Sequence, residues 1–392
     1  MKNKYQININ QEVLDDLRLR LAATIWPDEI ANRKWETGTN KEYLQTLCDY
    51  WQNDFSWDKQ QSFLNTFDHF TTTIDDNDIH FIHQMGEGIF NQPILLIHGW
   101  PDSFVRFLKL IPLLTKADKD GYAFDVIVPS IPGFGFSAIP KKEGMNPKKI
   151  ADLFVELMTK ELGYETFTAH GGDWGSNIIE QLALYHENAV NAIHLTDVPW
   201  QHLFTVSEDE LSHDEKKYLE EGKKWQQTEG GYASLQGTRP QSLAYGFTDS
   251  PAGLAGWLIE KFKSWSDNGG DIDNSFTKDE LLTNATIYWA THTIGPSMRL
   301  YYEAMKALMQ AKYNPLVKLN PFDKTDEKVN VPTAVAIFPK DIIPAPREYA
   351  ERFYNIQRWT KMNKGGHFAA MEQPEDLAKD IRTFVKETIM MS

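Results

Sequence analysis

Residues 169–177 read Ala-His-Gly-Gly-Asp-Trp-Gly-Ser-Asn, and the apolar run "TFTAH" leads into them. The pattern predicts a strand that turns sharply into a helix. Small residues at 171, 172 and 175 let the backbone pack closely at the turn and push the side chain between them outward. In such an elbow the projecting residue is a nucleophile, and here that position holds the carboxylate of Asp173. Alone, the same residues would also suit a glycine-rich turn whose Asp caps the next helix. The rest of the chain separates the two readings.

Working outward, short apolar runs alternate with helical patterns. "PILLIHGW" (93–100), "FDVIVPSIPG" (124–133) and "VNAIHLTDV" (190–198) flank the elbow, and "VPTAVAIFPKD" (331–341) and "YNIQRWTKMNKGGHF" (354–368) follow much later. Near-continuous apolar runs alternating with helices predict an α/β fold with a mostly parallel sheet buried on both faces. Residues 76–200 and 320–392 form this core. Residues 201–319 carry no strand pattern, only helical ones such as 207–227, 250–265 and 278–293, and so predict an inserted helical lid. Residues 1–75 read as a helical N-terminal extension that wraps the larger body. Residues 9–27 place Val13, Leu17 and Leu21 at helical spacing and end at Pro27. A hairpin spans 69–86, around a turn at Asp75-Asp76-Asn77-Asp78.

Composition excludes several classes of function. The 392 residues are 41% hydrophobic, enough for a large core, and carry a net charge of −15. That charge disfavours nucleic acid and anionic membrane surfaces, which want clustered Lys and Arg. The single cysteine, Cys48, permits neither an intrachain disulfide nor a cysteine metal site, which suits a reducing, cytoplasmic location. No secretory signal core and no membrane-spanning run are present. No metal site and no cofactor are expected, and a homodimer is compatible with the composition.

The chemistry follows from three loops. His98-Gly99-Trp100-Pro101 directly follows the strand at 93–97. The N–H groups of Trp100 and of Trp174, next to the nucleophile, form the expected oxyanion hole. His367 sits in a loop between a strand and the last helix, in the right place for a base, whereas His98 is read as structural. The carboxylate that orients His367 is Asp341, 26 residues before it, with Asp197, after another strand, as the alternative. A serine attacking saturated carbon would give an ether that histidine and water cannot cleave. A carboxylate gives an ester, which activated water can cleave at its carbonyl. Asp173 therefore implies displacement at saturated carbon, on an epoxide or an alkyl halide. An epoxide leaves as a basic alkoxide and needs a nearby acid. Tyr232 and Tyr301 of the lid, with Tyr302 as the neighbour of the latter, can supply one.

Taken together, the motifs resemble the epoxide hydrolases of the α/β-hydrolase fold, in the branch with an N-terminal extension that includes the microsomal-type enzymes. The resemblance covers almost the whole chain. It rests on "TIWPDE", "LNTFDHFTTTI" and "IHFIH" in the extension, and on "LLIHGWPDSFVRFLKLIPLL", "PSIPGFGFS", "GGDWGSNI" and "GGHFAAMEQPE" in the core. In the lid it rests on "TDSPAGLAGWLIEKF", "DELLTNATIYW" and Arg299-Leu300-Tyr301. It implies Asp173 as nucleophile, His367 as base and Asp341 as orienting acid. It also implies Tyr232 and Tyr301 as lid acids, with Tyr302 or Tyr245 as stand-ins. The substrate it implies is a small lipophilic epoxide, without cofactor. Two features depart from the family: Asp102 stands where it usually has Gly, which turn geometry tolerates, and the microsomal membrane anchor is missing. The competing readings are a haloalkane dehalogenase, which shares the Asp–His–Asp set, and a non-catalytic scaffold. Phe204, Trp225, Trp257, Trp265 and Trp289 of the lid are expected to supply an apolar pocket.

Overall fold

The computed structural model describes residues 2–31, 33–204, 206, 211–313 and 328–390. Its centre is a sheet with nine strands among the described residues: β1 Asn3–Lys4, β2 His69–Ile74, β3 Asn77–Gln84, β4 Phe90–Ile97, β5 Tyr122–Pro129, β6 Phe167–Gly171, β7 Val190–Leu195, β8 Val329–Ile337 and β9 Tyr354–Lys361. The order is β1-β2-β3-β5-β4-β6-β7-β8-β9. The first three strands run antiparallel, and β4 through β9 are mutually parallel. Ile94 to Ile97 of β4 are fully buried, as a strand covered on both faces requires. This is the α/β-hydrolase architecture.

The hairpin closes more tightly than its sequence suggests. Ile74 pairs with Asn77, leaving only Asp75 and Asp76 in the turn, both at positive φ (47° and 61°). That is the mirror-image two-residue turn that matches strand twist, and Asp is one of the few non-glycine residues to tolerate it. A boundary at residue 75 falls inside this turn, and β1 and β2 of the extension join the sheet. The extension's first helix, Gln11–Ala22, stops five residues short of Pro27 and buries Leu14, Leu17 and Leu21, with Val13 only half-buried.

The rest of the extension grips the lid. Its helices Lys41–Asn53 and Trp57–Leu64 lie against lid helices Pro251–Ser264 and Lys278–Thr291. The Trp51 indole N–H donates to Thr286 Oγ1 at 2.9 Å, and the Tyr50 hydroxyl to Asp279 at 2.8 Å. The lid leaves the sheet after β7 and returns at β8. Between them lie helices His213–Thr228, Gly231–Thr238, Pro240–Asp249, Pro251–Ser264, Lys278–Thr291 and Ile294–Tyr313. Its far boundary, at residue 319, lies outside the described residues. No described helix is long and apolar enough to cross a membrane.

The elbow joins β6 to helix Trp174–Tyr185, and its glycines are required by contact. A Cβ on Gly175 would lie 2.1 Å from the Ile97 carbonyl oxygen, and one on Gly171 2.5 Å from the same atom. That oxygen belongs to the rigid neighbouring strand and cannot yield. We expect Gly175→Ala to destabilise the fold by at least about 2–3 kcal/mol, measured by denaturant unfolding. A variant as stable as wild type would mean that the elbow tolerates a wider turn.

Candidate active site

The parallel strands all deliver their following loops to one end of the sheet, so Trp100, Asp173, Asp197, Asp341 and His367 converge there. Asp173 sits at φ 55°, ψ −130°, a backbone conformation that L-residues rarely adopt. It projects the carboxylate from the turn. Gly99 makes room for it, since a Cβ there would meet Asp173 Oδ1 at 2.3 Å.

The two oxygens of Asp173 have different surroundings. Oδ1 accepts the Trp100 N–H at 2.8 Å, and the Trp174 N–H also donates to the carboxylate. Oδ2 lies 3.3 Å from His367 Nε2. The opposite ring nitrogen, Nδ1, is 2.7 Å from Asp341 Oδ1, which also accepts the Ile342 N–H at 2.6 Å. The His367 N–H donates to the Trp265 carbonyl at 2.8 Å, which fixes the loop that carries the ring.

Charge follows geometry. Burial alone would raise the pKa of Asp173. The His367 contact and charge and the two N–H groups outweigh it and hold the carboxyl below its ordinary value. Burial would likewise disfavour an imidazolium, yet the Asp341 charge and the Asp173 contact dominate and raise His367 to about 10. The free site thus holds an imidazolium between two carboxylates.

Tyr232 and Tyr301 roof this group. Tyr232 stacks on Trp100 at 5.4 Å between ring centroids, and Tyr301 meets Trp174 edge-on at 4.7 Å. The two phenols are hydrogen-bonded to each other. Burial, and then nearby negative charge, keep both well above their ordinary value, so both remain protonated donors. Tyr302 and Tyr245 are exposed, and neither lines the cavity.

The cavity has a volume of about 680 Å³ and reaches from the Asp173 carboxylate to lid helices His213–Thr228 and Ile294–Tyr313. Of the lid aromatics that suggested an apolar pocket, Trp225 lines it among the described side chains. Trp257, Trp265 and Trp289 pack elsewhere, and the Phe204 side chain lies outside the described residues. Tyr218, Met305, Leu308, Ile342 and Ile343 supply the walls instead. Helical periodicity in the lid marks buried faces but cannot tell a face buried against protein from one that borders a cavity. Trp100 is fully buried, and its indole N–H has no partner among the described residues and does not reach the cavity wall. No cluster able to hold a metal ion occurs among the described residues.

His98 is structural: Nδ1 donates to the Gly99 carbonyl and Nε2 accepts the Ile131 N–H, while burial pushes it down to about 4. The sequence marked Asp102 only as a tolerated turn residue and gave Arg106 no role. Asp102 is fully buried, accepts the Gly99 N–H at 3.1 Å and pairs with Arg106. Arg106 Nη1 in turn donates to the His367 carbonyl at 3.3 Å. Asp102 is therefore more than a tolerated turn residue, since its pair ties the oxyanion loop to the histidine loop. The i, i+4 spacing of Asp102 and Arg106 was the available signal.

Residues 2–107 match the family described as "Epoxide hydrolase N terminus", and residues 92–374 the one described as "alpha/beta hydrolase fold". The chain is 34% identical to "Epoxide hydrolase 1" of Sus scrofa, over 97% of its own length and 88% of the relative's. The juvenile hormone epoxide hydrolase of the silkworm Bombyx mori superposes with a TM-score of 0.84 at 28% identity, covering 100% of this chain and 95% of that one. The epoxide hydrolase of Aspergillus niger gives 0.82 at 27%, covering 99% and 97%.

Removing one partner of the buried Asp102–Arg106 pair leaves the other charge stranded. Asp102→Gly is expected to cost about 3–5 kcal/mol, and Asp102→Gly with Arg106→Met to recover most of that loss. Equilibrium unfolding of both variants checks this. A single variant as stable as wild type would remove the pair from the account of the loop.

Proposed function

The chain belongs to the epoxide hydrolase family of the α/β-hydrolase fold, and we propose that it converts a lipophilic epoxide to a vicinal diol through an ester on Asp173. The observation that carries this reading is the division of labour between the Asp173 oxygens. Oδ2, outside the oxyanion hole, attacks an epoxide carbon. The C–O bond breaks, and the oxygen is held by the Tyr232 and Tyr301 hydroxyls; one of them gives it a proton and regains one from solvent before the next turnover. Oδ1 becomes the ester carbonyl oxygen, already bonded to the Trp100 N–H, and the Trp174 N–H beside the carboxylate supplies the second backbone donor for the oxyanion. His367, oriented by Asp341, takes a proton from water. The water oxygen attacks the ester carbonyl and remains in the Asp173 carboxylate, and the diol departs with the original Oδ2.

The cavity supports a lipophilic substrate, since its walls beyond the carboxylates are mostly Met, Leu, Ile and aromatic carbon. The dehalogenase alternative is disfavoured. A halide site uses a pair of side-chain N–H groups aimed at the leaving group, and of the two candidate indoles Trp174 lines the cavity but Trp100 does not.

Mass spectrometry after one turnover of styrene oxide in heavy-oxygen water tests the mechanism. One heavy oxygen should enter Asp173 while the first diol carries none. Label in the diol with none in Asp173 would mean direct water attack. Asp173→Asn should form no ester and lose turnover.

The pH dependence has a definite sign. The Asp173 charge is among the causes that raise His367 to about 10. Ester formation abolishes that charge, so His367 titrates lower in the intermediate. Hydrolysis needs the neutral ring, so the ester should accumulate as pH falls and vanish as pH rises, read from acid-quenched protein mass at several pH values. An ester fraction independent of pH would exclude His367 as the base.

A further inference from the structure

A third carboxylate borders the reacting atoms. Asp197 follows β7 and lines the cavity beside Asp173, Asp341 and His367. Its Oδ1 accepts the N–H of Asp173 itself at 2.8 Å, and its Oδ2 lies 2.9 Å from Ser176 Oγ. The contact with Asp173 is made at the strained residue of the elbow, where φ is 55°. Gly172 leaves the carboxylate room, since a Cβ there would come within 2.9 Å of Asp197 Oδ1.

The Ser176 hydroxyl has two acceptors for one hydrogen: Asp197 Oδ2, and the Asp173 carbonyl at 2.7 Å. When Asp197 is ionised, Ser176 can donate to it. When Asp197 is protonated, its O–H can donate to Ser176, which then donates to the Asp173 carbonyl. Every polar atom stays satisfied in both states, so the geometry accommodates a change of charge at Asp197 without rearrangement.

Resting on the roles of Asp173 and His367 argued above, we propose that Asp197 is a positioning residue for both half-reactions. It fixes the nucleophile's backbone N–H while the ester forms. During ester hydrolysis it is ionised and supplies a second negative charge that strengthens His367 as a base. Burial, and then the charge of Asp341, push Asp197 up to about 7 in the free site, with Asp173 adding to the rise and His367 opposing it. Ester formation removes the Asp173 charge and with it one cause of that rise, and the imidazolium that forms as His367 takes a proton from water opposes the rise further, so Asp197 loses its proton to solvent in that step. Its charge then favours that imidazolium. The other titratable and charged groups that feel it are Tyr218 of the lid, Tyr354 at the start of β9, and Arg106.

Asp197→Asn separates charge from position. The amide oxygen still accepts the Asp173 N–H, and the amide nitrogen can donate to Ser176. Ester formation, read as the single-turnover rise of protein mass, should stay within about threefold of wild type. The pH limb of ester hydrolysis should move down by about one unit with a lower plateau, because a neighbouring negative charge that stabilises the imidazolium is gone. Asp197→Leu, which also removes the acceptor, should slow ester formation by about tenfold or more. A hydrolysis profile of Asp197→Asn that superimposes on wild type overturns the proposal, and this isosteric variant decides the matter even if the Leu variant does not fold. An Asp197→Leu protein that forms ester at the wild-type rate overturns the positioning half. A wild-type protein that forms no ester at Asp173 overturns the underlying mechanism and this inference together.

Discussion

The structure turns on one close approach: the carbonyl of Ile97, at the end of β4, lies where a Cβ on either Gly171 or Gly175 would have to be. Because that space must stay empty, the chain can leave β6 and start a helix within three residues. Asp173 absorbs the cost as a φ of 55°. The same approach brings the Trp100 N–H to 2.8 Å from Asp173 Oδ1, since Trp100 lies three residues beyond Ile97. Strain at the elbow and assembly of the donor pair are one event. The strain is held in place by bonds on both sides of the turn: Asp197 takes the Asp173 N–H, and Ser176 can take its carbonyl.

On this frame the site concentrates negative charge. Asp173, Asp197 and Asp341 surround one histidine at the floor of the cavity. Such a group survives only if its charges are paired, and here they are paired unevenly. Asp341 bonds the back of the ring at 2.7 Å, whereas Asp173 meets its front at 3.3 Å. The front contact is the one that covalent chemistry at Asp173 would abolish. In the proposed mechanism, a base strongest before the reaction begins thus becomes available after the nucleophile has been consumed, with no change of conformation needed. The roof has the opposite character. Tyr232 and Tyr301 sit among aromatic faces that solvate a phenolate poorly, which keeps them donors.

Much of this was legible in the residues and some was not. The elbow, the oxyanion loop and the histidine loop each follow a strand of the parallel set, and in a parallel sheet strand ends share one edge. The proximity of Asp173, Trp100 and His367 therefore follows from pattern alone. Asp341 and Asp197 both follow strands, and the sequence put Asp341 first with Asp197 as the alternative without showing what separates them. The difference is where each side chain turns: Asp341 reaches the imidazole, and Asp197 turns under the elbow to the Asp173 N–H. Tyr301 and Tyr302 differ by one step of about 100° around a helix, and only the packed structure shows that the first is buried and the second exposed. The amphipathic helices of the extension were readable, but their partner was not. Periodicity shows that a face is covered, and the covering surface lies more than 200 residues away in the lid.

That partner gives the extension a part in the site. Helix Lys278–Thr291 is held from one side by the extension, through Trp51 to Thr286 and Tyr50 to Asp279. From the other side the same helix holds the oxyanion loop. Asn284 donates to the Pro101 carbonyl at 2.8 Å, and the Tyr288 hydroxyl to the Asp102 carbonyl at 2.8 Å. The loop that carries the Trp100 N–H is thus braced by the lid, and the lid by the extension. Donors aimed at a developing charge are effective only when they need not reorganise as the charge forms. A lid free to swing as one body would carry Asn284 and Tyr288 with it and loosen the loop beneath.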